Sequence, residues 1–190
     1  MKNFSNIKVL VLILAYSSFA MADHHASSKH DSQVKYISYS QLGNPADVLE
    51  VKTKASRALN SGEVRVKVLA APINPSDLLQ ISGNYGVAAV LPARPGSEGV
   101  GRVTEVSPQV KNLKVGQLVL LAIGSTWAEE IVAPAEGFLP LPNLGTLSAE
   151  VIEQLAMSAV NPLTALLMLT SYSDIEEGQW IVQSAANSAV

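Results

Sequence analysis

Between Val34 and Pro142 apolar and polar positions alternate. EVRVKVLA, residues 63–70, sets Val64, Val66 and Val68 against Glu63, Arg65 and Lys67, the period of two that a half-buried strand requires. VKYISYSQ and VLEVKTKA flank a Gly43-Asn44-Pro45 turn, and VGRVTEV, QLVLLAI and EEIVA continue the series with Gly and Pro between them. This succession of short strands predicts a mainly β, antiparallel domain closed as a small barrel. One helix interrupts it. In INPSDLLQISG, Asn74 suits the N-cap, Pro75 the first helical position and Asp77 the first turn, where a carboxylate complements the helix dipole.

After Pro142 the period changes. LSAEVIEQLAMSAV predicts a helix capped by Ser148, and NPLTALLMLTSY a second, with Asn161 as cap and Pro162 in its first turn. Asp174 to Gln179 turn the chain, Trp180-Ile181-Val182 forms a short apolar run suited to a strand, and small residues follow. Helix, strand and small-residue turn in that order are the opening of an α/β unit. The expected division is therefore a β domain at 34–147 and an incomplete α/β domain at 148–190. Without its 148–190 segment the β domain is expected to stay folded and to gain solubility, since an unpaired apolar strand invites self-association.

The N-terminus is of another kind. Lys2 and Lys8, the apolar core VLVLILA and the small-x-small site Ala20-Met21-Ala22 predict a secretory signal peptide at 1–22, with a membrane anchor or a buried strand as the alternative. Cleavage would leave a soluble periplasmic or secreted chain with no membrane attachment. Residues 23–33 are polar, carry all three His and show no period, as a flexible leader does. A mature terminus at Asp23-His24-His25 would place an imidazole third from a free amine, a square-planar nitrogen set suited to Cu(II) or Ni(II); the plain alternative is a solvated leader.

Composition narrows the function. An apolar fraction of 48% across 190 residues supports a packed core, while a net charge of −3 with no Lys/Arg cluster argues against nucleic-acid binding. There is no Cys, so neither a disulfide nor a thiolate metal site is available.

VLAAPINPSDLLQISGNYG, LPARPGSEGVGRVTEV, VGQLVLL and WIVQSAANSAV resemble, in that order, the zinc-independent medium-chain dehydrogenases and reductases, most of all the 2-enoyl thioester reductase and quinone oxidoreductase branch. The resemblance implies a GroES-like β-barrel domain that shapes a substrate cleft, followed by the first helices and first strand of a Rossmann domain for NADP(H). It further implies that Ala186, Asn187, Ser188, Ala189 and Val190 form part of the cofactor's phosphate turn. Small residues there let backbone N–H groups approach a pyrophosphate. GSEGVG at 96–101 is not such a turn, because its glycines are misplaced and a strand follows. Ser97 stands where zinc-dependent relatives carry His, so the resemblance implies no zinc.

Tyr85, in the Asn84-Tyr85-Gly86 stretch, is the implied catalytic residue. A phenol beside an enoyl thioester can hydrogen-bond the thioester oxygen as charge develops, or supply the proton for C2. Asn74 carries two readings, a helix cap and a neighbour of nicotinamide and substrate; Glu98 either orients the cleft or is a simple turn carboxylate, and Trp127 faces either substrate or core. The implied activity is NADPH-dependent reduction of an enoyl thioester or quinone, with the 190 residues inactive by themselves. The alternative is a noncatalytic exported module that keeps the GroES-like fold.

Overall fold

β1 (Gln33–Ser38) and β2 (Glu50–Ala55) pair antiparallel in the computed structural model, which describes residues 33–184. The turn expected between them contains a short helix, α1 (Pro45–Val48), whose start is held by Asn44 Oδ1 accepting from the Ala46 N–H at 3.3 Å. The remaining strands form one antiparallel sheet. Its order is β6 (Glu130–Pro134), β3 (Glu63–Ala70), β4 (Gly99–Val106), β5 (Leu118–Leu121), β7 (Phe138–Pro140).

Irregular register between β3 and β4, at Arg65/Val66 and Val68/Ala70, bends the central pair and helps to curl the sheet. The β1–β2 hairpin lies across the opening, tied by Ile37 N–H to the Trp127 carbonyl and by Glu129 N–H to the Lys35 carbonyl, both at 2.9 Å. The expected barrel is thus a curled five-stranded sheet completed by a hairpin. Val64, Val66, Val103, Val119, Leu121 and Phe138 fill it.

Simple alternation fails at Arg65. The residue expected to face solvent is 5% exposed. β3 is flanked on both sides, and the guanidinium is met by Glu105 at 2.8 Å, Glu130 and Ser56 at 2.5 Å, and the Arg57 carbonyl. Two carboxylates from neighbouring strands offset the cost of taking this charge out of water.

α2 (Pro75–Ser82) packs its fully buried Ile81 beside Tyr39 and Val48 in a second, smaller core. α3 (Ala149–Ala156), capped by Ser148 Oγ as expected, rests on β3, β4 and β5. α4 (Asn161–Thr170) has no comparable contact with any strand. Its apolar side chains are exposed on several sides, Leu163, Leu166, Leu167 and Met168 among them.

Two expectations change here. Asn161 does not cap α4: it sits buried in the first turn, Val160 is the cap residue, and no side chain within the helix start satisfies the free N–H groups. Trp180, Ile181 and Val182 belong to no strand. A strand exists only by pairing, and no strand among the described residues lies beside them. Consequently the described part beyond 148 consists of two helices and a segment that is neither helix nor strand.

Candidate functional site

The β4 entry, α2 and the turn before α4 meet at a buried polar network. Asn74, Asp77 and Glu98 are 8%, 3% and 0% exposed, and no cation pairs with either carboxylate among the described residues. Their neutral partners are specific. Asp77 Oδ2 accepts from the Asn74 backbone N–H at 2.9 Å, and Asp77 Oδ1 accepts from Ser97 Oγ. The Asn74 amide donates to Glu98 Oε1 at 3.0 Å.

Glu98 then reaches out of the barrel. Its Oε2 accepts the backbone N–H groups of Ala159 at 3.1 Å and Val160 at 2.8 Å. These donors belong to the turn that enters α4 and not to the helix's own first turn, so Glu98, some sixty positions earlier in the chain, anchors that turn without supplying the cap expected of Asn161. The Glu98 carbonyl in turn accepts from Thr126 Oγ1 at 2.7 Å. One carboxylate therefore ties α2, β4 and α4 together.

Asn74 is more than a helix cap. The backbone half of the capping arrangement is supplied by Asp77, which leaves the Asn74 amide turned to Glu98. Beside the network the Tyr39 hydroxyl is fully buried and has no hydrogen-bond partner among the described residues. Burial, and then the nearby charge of Asp77, pushes its phenol above the ordinary tyrosine range. Gly96, at φ +100°, lets the chain pass Trp127 and Thr126; a Cβ there would strike both side chains.

Trp127 faces core and surface together. Its ring packs on the Tyr39 cluster, Nε1 donates to the Pro72 carbonyl at 2.9 Å, and it lines a shallow apolar groove of about 520 Å³ with Ile73 and Leu69. Tyr85 stands apart from the network. It occupies the loop after α2, past Gly83 at φ +81°, is 46% exposed, and its hydroxyl makes no hydrogen bond among the described residues.

Ala186–Val190 and Asp23–His25 lie outside the described residues. GSEGVG runs into β4, as a strand and not a helix, so it offers no phosphate turn. Among the described residues, no group of three or more His, Cys, Asp or Glu side chains is arranged to hold a metal.

Residues 60–143, which span the curled sheet, α2 and the Asn74, Asp77, Ser97 and Glu98 side chains of the network, match the alcohol dehydrogenase GroES-like domain. The chain carries that domain, and the relatives it resembles are enoyl-[acyl-carrier-protein] reductases and quinone oxidoreductases of the medium-chain dehydrogenase and reductase family. The human mitochondrial enoyl-[acyl-carrier-protein] reductase is 38% identical over 171 residues, covering 89% of this chain and 44% of the human protein. Among solved structures, the Etr1p complex with NADP and crotonyl-CoA superposes with a TM-score of 0.67 at 32% identity, over 78% of this chain and 46% of Etr1p. A quinone oxidoreductase of Pseudomonas syringae gives 0.63 at 28% identity, over 75% and 42%. The GroES-like chain thus spans less than half of each relative.

Sequence reasoning had Asn74 and Tyr85 as candidates, but not the Asp77–Ser97 pair or the reach of Glu98 to Val160. A carboxylate set between Gly96 and Gly99 at the head of an apolar strand was the available signal, because such a group is buried only when donors await it.

Proposed function

We propose that this chain forms the substrate-side part of a zinc-independent, NADPH-dependent reductase of 2-enoyl thioesters. The observation that carries the reading is Tyr85: a phenol with no protein partner among the described residues, in a loop directly after the helix whose start is fixed by Asn74 and Asp77. Reduction at C3 of an enoyl thioester places negative charge on the thioester oxygen. Tyr85 is suited to donate a hydrogen bond to that oxygen, the role expected for it by resemblance.

The described residues form no cradle for a dinucleotide. Their sheet is antiparallel throughout, and Trp180–Val182 lie outside it. A parallel strand followed by a helix N-terminus is what receives a pyrophosphate. The 190 residues by themselves are therefore expected to bind a thioester without turning it over.

Calorimetric titration with crotonyl-CoA tests the first half of this. Tyr85→Phe should weaken binding by about fivefold, the effect of roughly 1 kcal/mol for one hydrogen bond. Unchanged affinity would remove Tyr85 from the substrate site. Steady NADPH oxidation by the purified chain would overturn the second half. For zinc independence, the expected result is a thermal midpoint unmoved by dialysis against EDTA.

A quinone is the second reading. The flat apolar groove beside Trp127 favours it, since a planar ring needs an apolar wall more than a hydrogen-bond donor.

Export belongs to the same proposal. Residues 1–22 contain an uninterrupted apolar run and no Arg, whereas organellar transit peptides are amphipathic and Arg-rich. N-terminal sequencing of protein recovered from a bacterial periplasm should begin at Asp23; an uncleaved Met1 would contradict it. The copper site at Asp23–His25 depends on that same cut.

A further inference from the structure

Two cations converge on the ring of Tyr36, a residue that also lines the groove beside Trp127. Lys54 Nζ, at the end of β2, lies 5.6 Å from the Tyr36 ring centroid, and the Arg94 guanidinium carbon lies 5.5 Å from it. A cation over an aromatic face is held in place without being neutralised. Neither group forms an ion pair with any described residue. Both line a cavity of about 310 Å³.

The cavity offers further donors. Gly124 and Ser125 line it, with left-handed φ values of +74° and +58°, the second in a region that a residue with a side chain seldom adopts. Their backbone N–H groups donate to no described residue. One carboxylate, Glu130, also lines the wall, but its Oε1 is engaged by Ser56 at 2.7 Å and Arg65 at 2.5 Å. What remains is two unneutralised cations with unpaired N–H groups on the same wall, where the Ser125 hydroxyl is turned to the Arg94 carbonyl at 3.4 Å.

We propose that Lys54, Arg94 and the Gly124–Ser125 turn form a binding site for a phosphate group. Two fixed cations match a phosphate that carries close to two negative charges, and a guanidinium pairs with phosphate oxygens in bidentate fashion. A cavity of about 310 Å³ lies at the small end of ligand pockets, sized for a phosphate or diphosphate with the rest of the ligand outside. Burial and the neighbouring Arg94 charge also push the Lys54 ammonium below the ordinary lysine range, with Glu130 acting in the opposite direction. A bound anion relieves that repulsion. This site stands on its own geometry and does not depend on the reductase reading.

The test is calorimetry of the full chain with sodium pyrophosphate at low ionic strength. Saturable one-to-one binding is expected, weakened about tenfold or more in Arg94→Gln and in Lys54→Met, each of which removes one charge-assisted contact. Lys111→Met, an exposed lysine elsewhere, should leave it unchanged. Both test residues are exposed, so circular dichroism should show the fold retained. Independently, the NMR titration of Lys54 Nζ should move to higher pH when pyrophosphate is bound. No saturable binding, equal binding by all three variants, or equally tight binding of succinate would overturn the assignment. A crotonyl-CoA titration separates the sources: sensitivity to Arg94→Gln assigns the phosphate to a thioester carrier, and insensitivity alongside pyrophosphate binding assigns it to a separate ligand.

Discussion

Glu98 is the residue whose loss should be felt furthest. Replacing it with Ala strands the Asn74 amide and the Ala159 and Val160 N–H groups at once. Hydrogen bonds to a charged group contribute about 1.5–3 kcal/mol each at most, so a loss on the order of 3 kcal/mol is expected in urea unfolding. Amide exchange at Ala159 and Val160 should accelerate in the same variant; protection as in the parent would sever the proposed tie between barrel and helices. At the surface the pattern is different. Hydrogen bonds from Arg57 and from the Asn60 backbone hold the Glu63 carboxyl at about 2. A depressed folded pKa means that any stability Glu63 contributes is present above its ordinary value near 4.5 and is lost as pH falls toward about 2. In Arg57→Gln, the NMR titration midpoint of Glu63 should rise toward the ordinary value.

Elements tell how far a period carries. Six of the seven strands and α2 were legible because alternation, Gly and Pro punctuation and an Asn-Pro cap are local signals, each decided within a few residues; β7, three residues long with a Pro at its end, is too short to show a period. Arg65 was not legible as buried, because its partners Glu105 and Glu130 sit on strands whose register only the folded sheet fixes. The anchoring of the turn before α4 was hidden for the same reason. Its acceptor, Glu98, sits just before β4, and an Asn-Pro start looked sufficient. This revises the expected behaviour of a shortened chain. Ending it at Leu147 would leave Glu98 without its donors in the turn before α4 and uncover the strand surfaces on which α3 rests, whereas ending it at Val160 keeps both. The longer product, ending at Val160, is expected to be soluble with a sharp thermal transition, and the one ending at Leu147 to melt earlier. Equal midpoints would show that α3 adds nothing to the barrel.

For the molecule as a whole, the barrel is well packed while α4 and the segment beyond it are not. Leu163, Leu166, Leu167 and Met168 remain exposed on a helix whose apolar residues are not confined to one side. Such a helix is ordinarily enclosed by other structure. Concentration-dependent association, measured by light scattering, should therefore fall when residues 161–190 are removed. The same contrast gives the chain a built-in optical pair. Trp127 is wedged against Gly96 with its indole N–H bonded to Pro72, and Trp180 is 94% exposed. An indole in water emits at longer wavelength and is open to acrylamide; one packed in a wall is shielded. Emission should thus resolve into two components: Trp127 reports whether the barrel is intact, and Trp180 shifts to the blue when another surface closes over it.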